Sequence, residues 1–286
     1  MLIATGIITS SCASTLARNA VPAELADRVQ IAEAPGVRHW GDAPLKDVAK
    51  IASVRREQVR ETRPELLRKK HHVINMLAIS GGGADGAYGA GLLNGWSAGG
   101  GRPSFEIVAG VSTGALSAPF AFLGAAYDDQ LRELYTKYST KDLIKPRVLA
   151  GLLGGTAVSD TKPLQSLIAR YINKRVLKEI AREHRTGRRL LVGTTNLDSE
   201  RPVVWDMGAI AARGTPEAAR LFRRVLLASA ALPGLFPPVF VKVQSDGRTF
   251  EEMHVDGGTT DNAFLLPTNF DLAKHERQRS RRTLRV

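Results

Sequence analysis

Apolar positions change their spacing several times along this 286-residue chain, and each change marks an element. Before about residue 70 no period is sustained, and Pro22, Pro35 and Pro44 interrupt any long helix. Residues 13–70 are therefore expected to form a tether with one peripheral helix, from Pro44 to about Arg60. From Val73 the pattern tightens. VINMLAIS is a short continuous apolar run suited to a strand covered on both faces, and AYGAGLLNGW then has helical spacing. FEIVAGVS repeats the strand pattern and TGALSAPFAFLGAAY the helical one; further helices are predicted over 128–138 and 161–184. RRLLVGTTNL and PVVWDM read as strands, and TPEAARLFRRVLLASAAL as a helix with a Thr cap and an early Pro, stopped by Pro233-Gly234. VFVKVQSDGRTFEEMHVDGG is a strand, an Asp-Gly turn and a returning strand. Strands alternating with helices predict one α/β domain over 73–286 with a mostly parallel central sheet, with no internal repeat and no second domain.

Composition changes this picture in two places. The net charge is +12, and the basic residues gather in Arg55, Arg56, Arg60, Arg63, Arg68, Lys69 and Lys70 and again in Lys274 to Arg285. Such clusters form solvated helix faces or tails, or attract an anionic membrane surface. Neither interleaves aromatic residues with its charges, so no nucleic-acid partner is expected. The one cysteine, Cys12, excludes an intrachain disulfide and a cysteine–zinc site. It closes the apolar stretch MLIATGIITSSC, and residues 1–12 resemble a bacterial lipoprotein signal whose cleavage leaves a lipidated cysteine. That implies lipidation of Cys12 and residence in the cell envelope; the competing expectation is a free thiol on a cytoplasmic protein. No Lys or Arg precedes Cys12, and Thr9 stands where a larger aliphatic residue is usual. No acidic loop of the kind that binds calcium occurs, and no metal or cofactor is expected.

The candidate chemistry lies where strands hand over to helices. GGGADG, residues 81–86, satisfies a dinucleotide fingerprint literally, and Glu106 falls 20 residues beyond Gly86. The acid that binds a ribose belongs at the end of the second strand, however, and Glu106 stands at its start. What ends that strand is Gly110-Val111-Ser112-Thr113-Gly114, a nucleophile elbow. Strand and helix backbones nearly touch in such a turn, so the flanking positions must lack side chains and Ser112 is forced to an exposed apex. The amides of Gly81, Gly82 and Gly83 can then serve as an oxyanion hole, the largest single contribution in acyl transfer. The general base stays open at this level. Asp256 followed by His275 has the chain order of a triad, but KHERQRSRR reads as solvated helix. His39, His71, His72, His184 and His254 are no better placed.

The motifs together resemble the patatin-like phospholipases. GGGADG is similar to their glycine-rich oxyanion loop, GVSTG to their elbow, and DGG at Asp256, Gly257 and Gly258 to their aspartate motif. LLVGTTNLDSERPVVWDMG and SAALPGLFPPV are similar to the segments between them. The resemblance implies a three-layer α/β/α fold and hydrolysis of lipid or phospholipid acyl esters of phospholipase A or lysophospholipase type. It also implies a Ser–Asp dyad without histidine: Ser112 as nucleophile, Asp256 as base, Gly81–Gly83 as oxyanion hole. Two departures stand out. Asp85 occupies a place where many members have Arg or Lys, and the chain stops at RTLRV, within a strand that members continue. The alternatives are a catalytically idle lipid-binding lipoprotein and a dinucleotide-dependent oxidoreductase.

Overall fold

The fold is described from a computed structural model, over residues 18–45, 48–68, 73–138, 145–146, 159–265 and 284–285. In chain order the described elements are β1 (Arg38–Trp40), α1 (Val48–Thr62), α2 (Glu65–Arg68), β2 (Ile74–Ile79), α3 (Gly86–Ala98), β3 (Ile107–Val111), α4 (Thr113–Leu123) and α5 (Asp128–Thr136). There follow the short antiparallel pair β4 (Lys145–Pro146) and β5 (Ser159–Asp160), α6 (Lys162–Tyr171), α7 (Lys174–Arg185), β6 (Arg189–Asn196), β7 (Arg201–Asp206) and α8 (Met207–Ala212). The last are α9 (Pro216–Ser229), β8 (Val239–Ser245), β9 (Arg248–Asp256) and β10 (Leu284–Arg285).

The main sheet runs β1-β7-β6-β3-β2-β10, with β9 also on β6 and β8 beside β9. It is mixed, which corrects the mostly parallel sheet read from the sequence. β10, β2, β3 and β6 are parallel, the order that right-handed strand–helix–strand crossovers give. β6–β7 and β8–β9 are hairpins, and β9 on β6 and β1 on β7 are antiparallel as well. A period-2 or continuous apolar pattern marks a strand but does not record its direction; the short turns at 197–200 and 246–247 set it.

One face carries Leu77, Val108, Leu190, Val192 and Trp205 into the main core. There α4 packs across β2, β3 and β6, α9 lies on β6, β8 and β9, and α3 packs on α4 and α5. The other face buries Met76, Ala109, Val111 and Val204, with Phe264 over Gly193. The helix predicted over 161–184 is two helices. Asn173 separates them, its side chain accepting from the amides of Arg175 and Val176 at the start of α7.

The stretch read as a tether differs most from expectation. Over its described part it is packed into the domain: Leu25, Val29, Ile31, Ala34, Val37 and Trp40 are buried in the core. Arg18 pairs with Asp198 and donates to the Glu251 carbonyl at 2.8 Å, Gln30 exchanges backbone bonds with Gln244, and β1 covers the free edge of β7. Cys12 and the rest of residues 1–17 lie outside the described residues, as do Lys69, Lys70 and most of the C-terminal basic run. Among the described residues no helix is long and apolar enough to cross a membrane.

Candidate active site

Two strands end face to face on one edge of β6. β3 runs up that edge to Val111, paired with Gly193; β9 runs down it, antiparallel, to Asp256, paired with Thr194. The residue after Val111 and the last residue of β9 therefore meet one register step apart. Ser112 donates its hydroxyl proton to Asp256 Oδ2 at 2.6 Å. Asp256 Oδ1 accepts the Gly258 amide at 2.7 Å, and the Asp256 amide is fixed to the Ala231 carbonyl at 2.9 Å. Nothing separates hydroxyl from carboxylate; the gap between the strand ends admits no imidazole.

The local sequence explains the elbow. Ser112 has φ 56° and ψ −124°, a conformation a non-glycine residue holds only when its surroundings impose it. A Cβ on Gly110 would lie 2.5 Å from the Gly114 carbonyl oxygen, and one on Gly114 would overlap the Ile79 carbonyl. The turn closes only because both are glycine. The same closeness holds across the loop and at the aspartate turn. A Cβ on Gly81 would reach 3.0 Å from Ser112 Cβ, and one on Gly257 would reach 2.6 Å from the Gly193 carbonyl oxygen.

Ser229, which the sequence reading left without a role, ties these parts together. Fully buried at the end of α9, it accepts the Ser112 amide at 3.0 Å and donates its hydroxyl to the Gly193 carbonyl at 2.6 Å. Its signal was the SAALPG segment, similar to the family but silent about partners.

The oxyanion loop needs one correction. The Gly81 amide donates to the Asn262 carbonyl at 3.1 Å and is already committed. Among the described residues no bond engages the amides of Gly82 or Gly83, and Gly83 holds φ 56°. Ser112 is itself the N-cap of α4, so the helix N-terminus, which favours negative charge, lies beside its hydroxyl. Asp85 is exposed, and its side chain caps no amide of α3.

Burial dominates the electrostatics of the pair. It pushes the Asp256 carboxyl above its ordinary range, while the Ser112 hydroxyl and Gly258 amide pull it back. The histidines are elsewhere. His254 is fully buried, its Nδ1 3.0 Å from Thr194 Oγ1 and its Nε2 3.1 Å from Glu252 Oε2, so both ring nitrogens are used away from Ser112. His184 is buried near Asp206, burial holding its pKa down, and His39 lies in β1. His71, His72 and His275 fall outside the described residues.

Glu106 does not await a ribose. Arg63 grips it with two bonds of 2.7 and 3.0 Å, and Arg55 approaches to 3.5 Å. Burial pushes its pKa up, but these guanidiniums outweigh it and hold the carboxyl below its ordinary range. Part of the basic cluster on α1 and its flank is thus turned inward. It also sits at the start of β3, roughly 20 Å along the strand from Ser112 by the usual rise per residue. Among the described residues no group of three or more His, Cys, Asp or Glu could hold a metal ion.

The model of the patatin-like phospholipases matches residues 77–269. The chain belongs to the patatin-like phospholipase family, whose activity is hydrolysis of lipid acyl esters, and the oxidoreductase reading falls with that. Among solved structures it is similar to VipD from Legionella pneumophila, at 14% identity and a TM-score of 0.43 over 71% of this chain. It spans about half of that protein, 48% of its length. No curated protein matches it.

Proposed function

We propose that this chain is a serine-dependent lipid acyl hydrolase of phospholipase A or lysophospholipase type, working through Ser112 and Asp256 without a histidine. The observation that carries the reading is the 2.6 Å bond from Ser112 Oγ to Asp256 Oδ2 at the two opposed strand ends. Ser112 Oγ attacks the ester carbonyl carbon as its proton passes to Asp256. The charge that develops on the carbonyl oxygen is met by the Gly82 and Gly83 amides. Collapse expels the alcohol, which takes the proton from Asp256. Water then attacks the acyl-serine, giving a proton to Asp256, and the fatty acid leaves as that proton returns to Ser112. The Gly81 amide, bound to Asn262, instead fixes the loop against the elbow.

We place the enzyme in the bacterial envelope, anchored through Cys12. The apolar stretch ending at that cysteine supports this, and so does a lipid-ester substrate.

Labelling with a fluorophosphonate followed by peptide mass mapping tests the chemistry. Ser112 is expected to be the single modified residue. Asp256→Asn is expected to slow labelling and turnover about 10²–10⁴-fold. No labelling of folded protein would leave the catalytically idle lipid-binding reading standing. The same mass spectra, on protein from its native host, read the N-terminus: lipidated Cys12 is expected, and an intact Met1 would refute the anchor alone.

A further inference from the structure

We propose that the outward face of α3 is the surface on which this enzyme docks to lipid, and that uncharged zwitterionic lipid suffices. The inference rests on the hydrolase reading above, because it takes that site's substrate as its occupant. The thirteen residues of α3, GAYGAGLLNGWSA, carry no charged side chain. Ala90 and Leu93 turn inward and are buried, whereas Tyr88, Leu92 and Trp96 are 79%, 59% and 41% exposed. Their spacing of four aligns them in one stripe, about 12 Å long by the helical rise. Gly91 and Gly95 beside the stripe are exposed, and a Cβ on either would meet nothing within 4 Å, so the face is smooth as well as apolar.

Position identifies the occupant. α3 begins where the glycine loop ends, and that loop lies against Ser112. Next in the chain to Ala231, whose carbonyl holds the Asp256 amide, Leu232 is 52% exposed. Exposed apolar residues thus follow the glycine loop that lies against Ser112 and adjoin the residue that holds Asp256. Laying α3 on a lipid layer desolvates no ion of that helix, exposed Asp85 standing just before its first turn, and Tyr and Trp suit the boundary between headgroups and acyl chains. The basic cluster is the competing surface, but it stands at the opposite end of β3 with Arg55 and Arg63 engaged by Glu106. Val54 and Leu67 are exposed there singly, on helices rich in charge.

Tryptophan fluorescence tests this directly, because Trp40 and Trp205 are buried and Trp96 is the exposed reporter. The full chain carrying Ser112→Ala is mixed with phosphatidylcholine vesicles whose acyl chains are brominated. Quenching is expected, and Trp96→Phe should abolish it while co-sedimentation persists. Leu92→Glu should lower vesicle partitioning about tenfold or more, given what burial of one leucine contributes. Val54→Glu on α1 should leave it unchanged. Leu92→Gln, with circular dichroism to verify folding, gives the same reading should the charged variant fold poorly.

The proposal is overturned if quenching is absent. It is overturned equally if binding needs anionic lipid and is lost with Arg56→Glu. A dimer dissolved by Leu92→Glu would assign the face to a second copy of the chain. Trp96 shielded from acrylamide without lipid would assign it to another segment of the same chain. Fluorophosphonate labelling in lipid-free buffer reads the hydrolase assignment separately, so a failure of either is recognisable by itself.

Discussion

The proposed mechanism asks Asp256 to be a base in a place that disfavours its charge. Burial raises its pKa, so the folded protein holds this proton more tightly than the unfolded chain does. The group's contribution to stability is therefore fully present below the ordinary carboxylate pKa. It is lost as pH rises from there through the raised folded value. Activity runs the other way, since only the carboxylate can take the Ser112 proton. The acidic limb of kcat/KM against pH is expected to have its midpoint above the usual carboxylate range. Asp256→Asn, although slowed in turnover, is expected to melt above the parent at pH 7, with the gap closing at pH values where the parent's carboxyl is protonated. Thermal melts across that range check the sign. At this scale the sequence was most legible, because Gly110, Gly114 and Gly257 sit where any Cβ would strike backbone. Contact that close can be read from residue type. The commitment of the Gly81 amide could not, since its partner, Asn262, is 181 residues further on.

Elements bring the reacting groups together by where they stop. β3 and β9 share one edge of β6, and the end of α9 reaches into the junction through Ser229. Ser229→Ala leaves the Ser112 amide and the Gly193 carbonyl short of a partner in a dry site, at a cost of about 1–3 kcal/mol. The elbow then loses its tie to β6, and labelling of Ser112 should slow roughly ten- to a hundredfold. Stopped-flow labelling beside a thermal melt separates the two effects; an unchanged labelling rate in a destabilised protein would leave Ser229 a purely structural residue. Strands and helices were legible from their periods, but sheet direction was not. Whether β9 meets β6 from above or below depends on a pairing between residues some 60 positions apart. The split at Asn173 was hidden for a local reason, since apolar spacing continues across it while the side chain caps a new helix.

The whole molecule is closed by its own beginning. Residues 18–40 cross the β8–β9 hairpin and end as β1, so the edge of β7 is covered and a charged chain enters the interior. Arg38 pairs with Glu252 at 2.7 Å, Glu252 with His254, and His254 with Thr194, which also accepts from Trp205 Nε1 at 2.8 Å. Arg38→Met would strand a buried carboxylate. It is expected to cost about 3–5 kcal/mol, seen as a melting point lower by on the order of 10 °C. A small loss would mean that the clasp is dispensable. The sequence concealed this clasp because its apolar residues keep no period and its prolines read as punctuation. The clasp also fixes a reach. Arg18 is pinned to Asp198, just past the strand end of β6 and thus at the same end of the sheet as Ser112. With a lipid on Cys12, six residue steps remain, a span of at most about 20 Å; a free tether through residue 70 would reach roughly ten times as far. With the anchor proposed above, so short a leash would confine the chain to the leaflet that holds it. It would graze the lipids around it and leave a facing membrane untouched.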